Sequence, residues 1–255
     1  MQTFVSADKR RMYGDLSWTW PIISPPEDYK EETQEYIRLI KDQSRIPVKK
    51  LLNMGCGGGH NDHTLATAFE VTGVDLSQEM LTLAKELNPH VSYINGDMRA
   101  IRLGQGFDAV TVFDSISYMR TPESLKAAFL TAYTHLRPGG VFITCIEETA
   151  ENFEQNKTIA TTRKKDDIEI TLVENYYDPD PKDNMYEANF VYFIRRSGQL
   201  TIETDCHLLG LFPFHVWVEV MESVGLEVFK RESLMQTVNG KPLQILIGVK
   251  PVTHE

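Results

Sequence analysis

Residues 51–62 read LLNMGCGGGHND, a mostly apolar run that ends in four glycines within five positions. Glycine gives up more conformational freedom on folding than any other residue, so such a cluster marks a turn that is tight or approached closely by something else. A phosphate-cradling P-loop needs a lysine followed by Ser or Thr after its glycines, and none follows here. The dinucleotide fingerprint GxGxxG begins at Gly55 and Gly57 but requires glycine at position 60, where His60 stands. The pattern present is GxGxG: Gly55, Gly57 and Gly59. A tight turn with no ligand is the plainer alternative.

The flanking pattern places this turn in a βαβ rhythm. KLLNM, VTGVD, VSYIN, FDAVTVF and GVFITCI are short apolar runs separated by segments of helical length, which argues for a mainly parallel sheet. Ser77 stands as N-cap before QEMLTLAKEL, and Thr121 precedes PESLKAAFLTAYTHL with proline at the first helical position. RPGG, residues 137–140, closes that helix and turns into the fifth strand. A helix is expected from about Glu27 to Gln43, with its acids concentrated early as the helix dipole favours. Beyond Ile146 three strand-like runs, IEITLVENYYD, NMYEANFVYFIRR and LTIETDCHLLG, follow one another through turn-sized links, so residues 147–209 are expected to form an antiparallel insertion. A helix and two strands then complete the chain.

Composition narrows the partners. The 255 residues, 42% of them hydrophobic, suffice for one sizeable core with a smaller appended layer. With 36 acidic against 26 basic residues, a net charge of -10, binding to nucleic acid or to an anionic membrane is not expected. Cys56, Cys145 and Cys206 lie far apart with no CxxC spacing, which suggests neither zinc nor a disulfide framework. The first twenty residues hold no apolar core of signal-peptide length, and no later run is long enough to span a bilayer, so a soluble cytoplasmic protein is expected. His60, Asp62 and His63 are metal-ligand types, but three ligands packed at a helix N-terminus, where the dipole opposes a cation, make poor geometry; no metal is expected. The DPDPKD loop lacks EF-hand spacing and reads as a solvated turn.

Two acids complete the sheet-end pattern. Asp75 ends the second strand at the place where nucleotide-binding folds grip ribose hydroxyls. Gly96-Asp97 ends the third, where a carboxylate can accept from an adenine amino group, although a helix N-cap or turn aspartate explains Asp97 equally well. The first two strands leave open a nicotinamide nucleotide or another adenosine-bearing ligand.

In this order and spacing, LLNMGCGGG, VTGVDLSQEML, YINGDMRAI, FDAVTVFDSISYM and HLRPGGVFIT resemble the successive motifs of class I S-adenosylmethionine-dependent methyltransferases over about residues 50–146. GDMRAIRLGQGFDAVTVFDSISYM with HLLGLF further resembles small-molecule N-methyltransferases that dimethylate nucleotide-linked aminosugars, in a group that includes glycine N-methyltransferase-like enzymes. The resemblance implies an α/β fold: a Rossmann-like, seven-stranded, mainly parallel sheet with helices on both faces, plus the inserted antiparallel layer. It divides the chain into an aromatic leader and helix (1–48), a cofactor-binding core (49–146 and 210–255) and the insertion (147–209), which forms an acceptor-side wall or an oligomer contact such as a homodimer's.

It also implies that S-adenosylmethionine is the cofactor and S-adenosylhomocysteine the product. Gly55, Gly57 and Gly59 would lie beside the methionine part, Asp75 would take the ribose hydroxyls, Asp97 with Met98 would hold adenine, and Phe113 and Asp114 would face the methionine end, with Cys56 and Leu76 also in the cofactor-binding set. The family usually carries Asp or Glu two residues before the first motif glycine; Asn53 stands there, keeping hydrogen bonds but losing a charge that would complement the cofactor's ammonium.

Methyl transfer from a sulfonium needs alignment and exclusion of water more than acid-base machinery, yet an amine acceptor must present a free lone pair. Tyr13 and Tyr118 match acceptor-pocket positions in the resemblance, and His207 in DCHLLG is the third candidate, with a satisfied strand-end histidine as its alternative. Ser117 lies beside Tyr118. Trp18 and Trp20 serve as a lid over the acceptor or pin the leader to the core. The function expected is methyl transfer to a small-molecule acceptor, an amine first. O-methyl transfer, cofactor binding without transfer and, against His60 and Asp97, a dehydrogenase are the rivals.

Overall fold

The structure is a computed structural model, and it describes residues 9–236 and 242–252; the first eight residues of the expected leader lie outside them. Five strands follow in the predicted order: β1 (Lys50–Met54), β2 (Glu70–Asp75), β3 (Ser92–Asn95), β4 (Phe107–Val112) and β5 (Leu136–Ile146). With β10 (Glu227–Gln236) and β11 (Pro242–Val249) they form one sheet ordered β10-β11-β5-β4-β1-β2-β3. β1 to β5 pair in parallel, and β11 runs antiparallel to both of its neighbours.

Alternating side chains divide this sheet between two cores, as period-two strands must. Leu52, Val110, Phe142 and Leu246 pack under α5 (Pro122–His135) and α6 (Phe214–Ser223), with Leu125, Phe129 and Trp217. Leu51, Ala109, Ile143 and Ile245 pack against Tyr36 and Ile40 of α2 (Lys30–Gln43). The expected helix from Glu27 opens as a 3-10 turn, Pro26–Tyr29, before α2 begins. Ser77 accepts from the Met80 amide at 3.0 Å at the start of α4 (Gln78–Leu87), and Thr121 forms a reciprocal capping box with Ser124. RPGG lies within β5 itself rather than ahead of it, because β5 pairs with β4 from Leu136 and absorbs the turn as an irregularity in register.

The insertion holds four strands, not three: β6 (Lys157–Lys165), β7 (Ile168–Tyr177), β8 (Met185–Arg196) and β9 (Gln199–Gly210), paired as an antiparallel meander. β6 is mostly exposed, so KTIATTRKK carries no alternation to betray it. One face of the other three presents Ile170, Leu172, Tyr186, Phe190, Tyr192 and Leu209. The leader's Met12, Leu16 and Ile22, the last on the short helix α1 (Trp20–Ile23), cover that face. Each such buried side chain contributes about 1.5–3 kcal/mol. The leader thus belongs to the insertion's core while also reaching the central sheet.

Candidate active site

The sheet order reverses between β4 and β1, the position at which open α/β sheets leave a crevice for ligands. The glycine loop rises from β1 there. Gly55, Gly57 and Gly59 have φ of 70°, 54° and 75°, backbone that L side chains rarely adopt. The loop hooks onto β2: Val74 oxygen accepts from Gly55 N at 2.6 Å and Cys56 N at 3.0 Å. The Asp75 carboxylate then accepts from Gly57 N (2.8 Å) and Ser77 N (2.8 Å). Burial pushes the Asp75 carboxyl above its ordinary range, and those two N–H groups pull it partly back.

Above the crevice lies a cavity of about 670 Å³, a size suited to a small-molecule ligand or cofactor. Gly55, Cys56, Gly57, Asp75, Leu76, Asp97, Met98 and Phe113 all line it, as do Tyr13 and Tyr118. Leu76, 63% exposed, offers an apolar side chain there. Asp97 is gripped by the Arg99 guanidinium and accepts from the Arg99 amide (2.8 Å), which holds its carboxyl below the usual range. The turn-aspartate and cavity-wall descriptions of Asp97 therefore both apply.

Three expected site residues stand elsewhere. Gly59 is absent from the wall, and a Cβ on it would come within 2.6 Å of the Tyr93 hydroxyl and 2.8 Å of Asn88 Nδ2: its bareness serves packing. Asn53 is 1% exposed and lies beneath the loop, where its amide donates to Asp62 Oδ1 (2.7 Å) and its carbonyl accepts from Thr111 Oγ1 (3.1 Å). Burial pushes the Asp62 carboxyl up to about 7. Asn53 thus bears on the loop through α3 (His60–Leu65) and Asp62, without reaching the cavity. His207 is 1% exposed, behind Tyr118.

The end of the cavity beyond Phe113 is aromatic and acidic. Trp20 stacks on His60 (centroids 6.0 Å apart), Tyr29 meets His60 from another side (5.5 Å), and all three line the wall. His60, considered above as a metal ligand, is therefore an aromatic wall residue, and burial lowers its imidazole to about 4. Among the described residues no group of His, Cys, Asp or Glu is arranged to hold a metal ion. Trp18 is not part of the wall; the Arg196 guanidinium sits over its ring at 5.4 Å. Asp114 lines the cavity and accepts from the Cys145 thiol (3.5 Å). Asp114 and Glu147 keep solvent-exposed surface, yet the surrounding protein desolvates them: desolvation raises the Asp114 carboxyl, and desolvation followed by repulsion from Asp114 raises Glu32 to about 7 and Glu147 well above the carboxylate range.

The two tyrosines are joined. The Tyr118 hydroxyl donates to Tyr13 Oη (2.8 Å) and lies 2.7 Å from His207 Nδ1, while His207 Nε2 lies 2.9 Å from Asp205 Oδ2. The leader is fixed here by Met12 N donating to Asp205 (2.7 Å) and by Arg11 pairing with Glu203 (3.0 Å). Across the cavity Ser77 Oγ donates to Tyr13 O (2.5 Å). Tyr29, Glu32 and Glu147 sit in no local motif, while Asp62 in HNDH and Asp205 in DCHLLG stand in motifs whose partners only the fold assembles.

A glycine loop on the first strand, an acid ending the second, and a cavity at the switch point of a seven-stranded sheet with a reversed final strand define a Rossmann-like nucleotide-cofactor enzyme. Comparison identifies which. The model of a methyltransferase domain matches residues 51–140. The chain is 31% identical over 205 residues, 79% of its length and 85% of the relative's, to a dTDP-3-amino-3,4,6-trideoxy-alpha-D-glucopyranose N,N-dimethyltransferase of Streptomyces venezuelae. It is 28% identical, over 79% of each chain, to a dTDP-3-amino-3,6-dideoxy-alpha-D-glucopyranose N,N-dimethyltransferase of Streptomyces fradiae. The crystal structure of DesVI from Streptomyces venezuelae superposes with a TM-score of 0.80 and 26% identity over 93% of this chain and 96% of that one. This chain belongs to the S-adenosylmethionine-dependent methyltransferase family. Among the described residues no helix is long and apolar enough to cross a membrane.

Proposed function

We propose that the protein transfers a methyl group from S-adenosylmethionine to an amine nitrogen of a small molecule of the aminosugar class. The observation that carries this is the chemistry of the cavity's far end, where Asp114 stands on the wall among Trp20, Tyr29 and His60, with Glu32 and Glu147 behind the wall near enough to interact with it. Such an end attracts a cationic group, and aromatic faces complement ammonium. The names of the similar dimethyltransferases support the same acceptor class.

The wall fits the cofactor. Gly55, Gly57 and Gly58 present bare backbone to the cavity; a Cβ at Gly55 would lie 2.0 Å from Ser115 Oγ, and one at Gly58 3.0 Å from Trp20. Asp75 holds the ribose hydroxyls, exchanging part of its hold on the loop amides for them. Leu76 and Met98 enclose adenine, with Asp97 at its amino edge. Phe113 and Asp114 face the methionine end, where Asp114 supplies the negative charge that Asn53 does not. Bound there, the cofactor supplies an already activated methyl group.

The chain's own work is then to orient and to keep water out. Tyr13 and Tyr118, whose hydroxyls meet at 2.8 Å, present one joined polar point on the cavity wall to the acceptor nitrogen. Trp20, lying over Gly58, shields the transfer region. The insertion sheet supports the acceptor side from behind, carrying the leader whose Tyr13 and Trp20 line the cavity.

The test is a radiolabelled methyl-transfer assay on a panel of amines, nucleotide-linked aminosugars and matched hydroxyl compounds, with mass spectrometry of the products. Incorporation into amines is expected. Incorporation confined to hydroxyl compounds, or cofactor binding without turnover on any member, would overturn the proposal.

A further inference from the structure

We propose that Asp205 and His207 are positioning residues at the buried end of a proton conduit that begins at Tyr13 in the cavity and passes through Tyr118. The inference rests on amine methylation as proposed above.

The four groups form an unbroken line of hydrogen-bond contacts: Tyr13 Oη to Tyr118 Oη (2.8 Å), Tyr118 Oη to His207 Nδ1 (2.7 Å), His207 Nε2 to Asp205 Oδ2 (2.9 Å). The first two line the cavity, and the last two are shut away from it. Asp205 is anchored by Met12 N (2.7 Å) on Oδ2 and Cys206 N (2.9 Å) on Oδ1, so the far end cannot swing. Phe190 of β8 packs on the imidazole with centroids 4.8 Å apart. Tyr118 is half-buried on the cavity wall and already has the Tyr13 hydroxyl as a partner, so the imidazole and carboxylate behind it are more than one phenol needs to satisfy its hydrogen bond.

The polarity of this line depends on one proton. Asp205, anchored as a carboxylate, takes a hydrogen from Nε2 in either state of the ring. A neutral imidazole then has Nδ1 as acceptor, hydrogens run from Tyr13 to Tyr118 to His207, and Tyr13 turns a lone pair to the cavity. A protonated imidazole donates from both nitrogens, the line runs outward, and Tyr13 turns its hydrogen to the cavity.

The step balances. An acceptor entering as an ammonium passes one N–H proton to Tyr13 Oη while the Tyr13 proton moves to Tyr118 and the Tyr118 proton to Nδ1. Both phenols end as they began, the nitrogen gains its lone pair, and His207 ends as an imidazolium facing the Asp205 carboxylate. Other charged or titratable groups facing the line are Arg10, whose guanidinium sits 4.6 Å from the Tyr118 ring centroid, Asp75 and Asp114 near Tyr13, Arg11 and Tyr192 near Asp205, and Tyr186 near Tyr118.

The test compares the pH profile of kcat for the wild type, Tyr118→Phe, His207→Asn and Asp205→Asn on an amine that the wild type methylates. Each variant is expected to lose on the order of a hundred-fold in kcat near neutrality. The deficit should close as pH approaches that of an amine's own ionisation, about 10, where free base is supplied by solvent. A deficit that stays constant with pH, or none, overturns the conduit while leaving amine methylation standing. Nitrogen-15 imidazole NMR is a readout that needs no turnover. In its neutral form His207 should carry its hydrogen on Nε2, against Asp205, and leave Nδ1 as the acceptor toward Tyr118, and Tyr118→Phe should move the Nδ1 resonance. A neutral ring with its hydrogen on Nδ1 overturns the proposal whether or not any amine is methylated.

Discussion

Gly55→Ala is the perturbation whose cost can be worked most directly from the structure. Gly55 has φ of 70°, and an L residue held there costs about 1–2 kcal/mol. Its new Cβ would fall 2.0 Å from Ser115 Oγ, 2.6 Å from Ser115 Cβ and 2.8 Å from Met98 Cε. Met98 can move its terminal methyl, but Ser115 lies in the 3-10 turn Asp114–Tyr118 directly behind β4 and has little room. Overpacking of that kind costs a further amount of about 1–3 kcal/mol, against which alanine's stiffer unfolded chain returns about 0.4–1 kcal/mol. The expected net loss is about 2–4 kcal/mol in stability, measured by urea unfolding.

Because the clash involves Ser115 Cβ as well as Oγ, Ser115→Ala should not rescue Gly55→Ala, whereas Ser115→Gly should recover the steric part and leave the conformational part. The double-mutant coupling with Ser115→Gly is expected at about 1–3 kcal/mol. Stability of Gly55→Ala within about 0.5 kcal/mol of the wild type, or zero coupling, would refute the view that this loop is bare because its backbone and neighbours leave no alternative.

Other outcomes follow from the buried groups. The Asp62 carboxyl, raised by burial from 3.8 to about 7, binds its proton more tightly folded than unfolded, so its contribution to stability is full below the lower value and is lost as pH rises to the upper one. That difference corresponds to about 4 kcal/mol, and Asp62→Asn should therefore gain on the wild type between about pH 4 and pH 7 in denaturation curves; a constant difference across that range contradicts the assignment. Leu16→Ala, which opens the leader's contact with the insertion sheet, should cost about 2–5 kcal/mol and raise KM for the acceptor more than for the cofactor. An equal rise in both would detach the leader from the acceptor wall.

Legibility in the sequence followed the range of the interactions involved. β1 to β5 show in the chain because each alternates or runs apolar between strong caps, Ser77 and Thr121 among them. β6 does not, since a mostly exposed strand has no pattern to keep. The cavity wall around Gly55, Asp75 and Asp97 was readable because strand ends at a switch point must converge. The environment of Asn53 was not: its partner Asp62 is nine residues on, inside HNDH, where ligand chemistry was the visible question. Glu32 reads locally as an acid in the first turn of a helix, yet it feels Asp114 across the fold. His207 could be singled out as a residue type, but its place behind Tyr118 and its bond to Asp205 depend on how β9 meets the leader and the 3-10 turn after β4.

Whether the glycine loop and Asp75 bound a site for S-adenosylmethionine is decided by calorimetric titration with S-adenosylhomocysteine. The wild type should bind one equivalent. Asp75→Ala, which removes an acceptor for two ribose hydroxyls at about 1.5–3 kcal/mol each, should bind at least about a hundred-fold more weakly. Equal affinity in the two proteins, or binding of a nicotinamide dinucleotide in place of S-adenosylhomocysteine, would contradict the assignment.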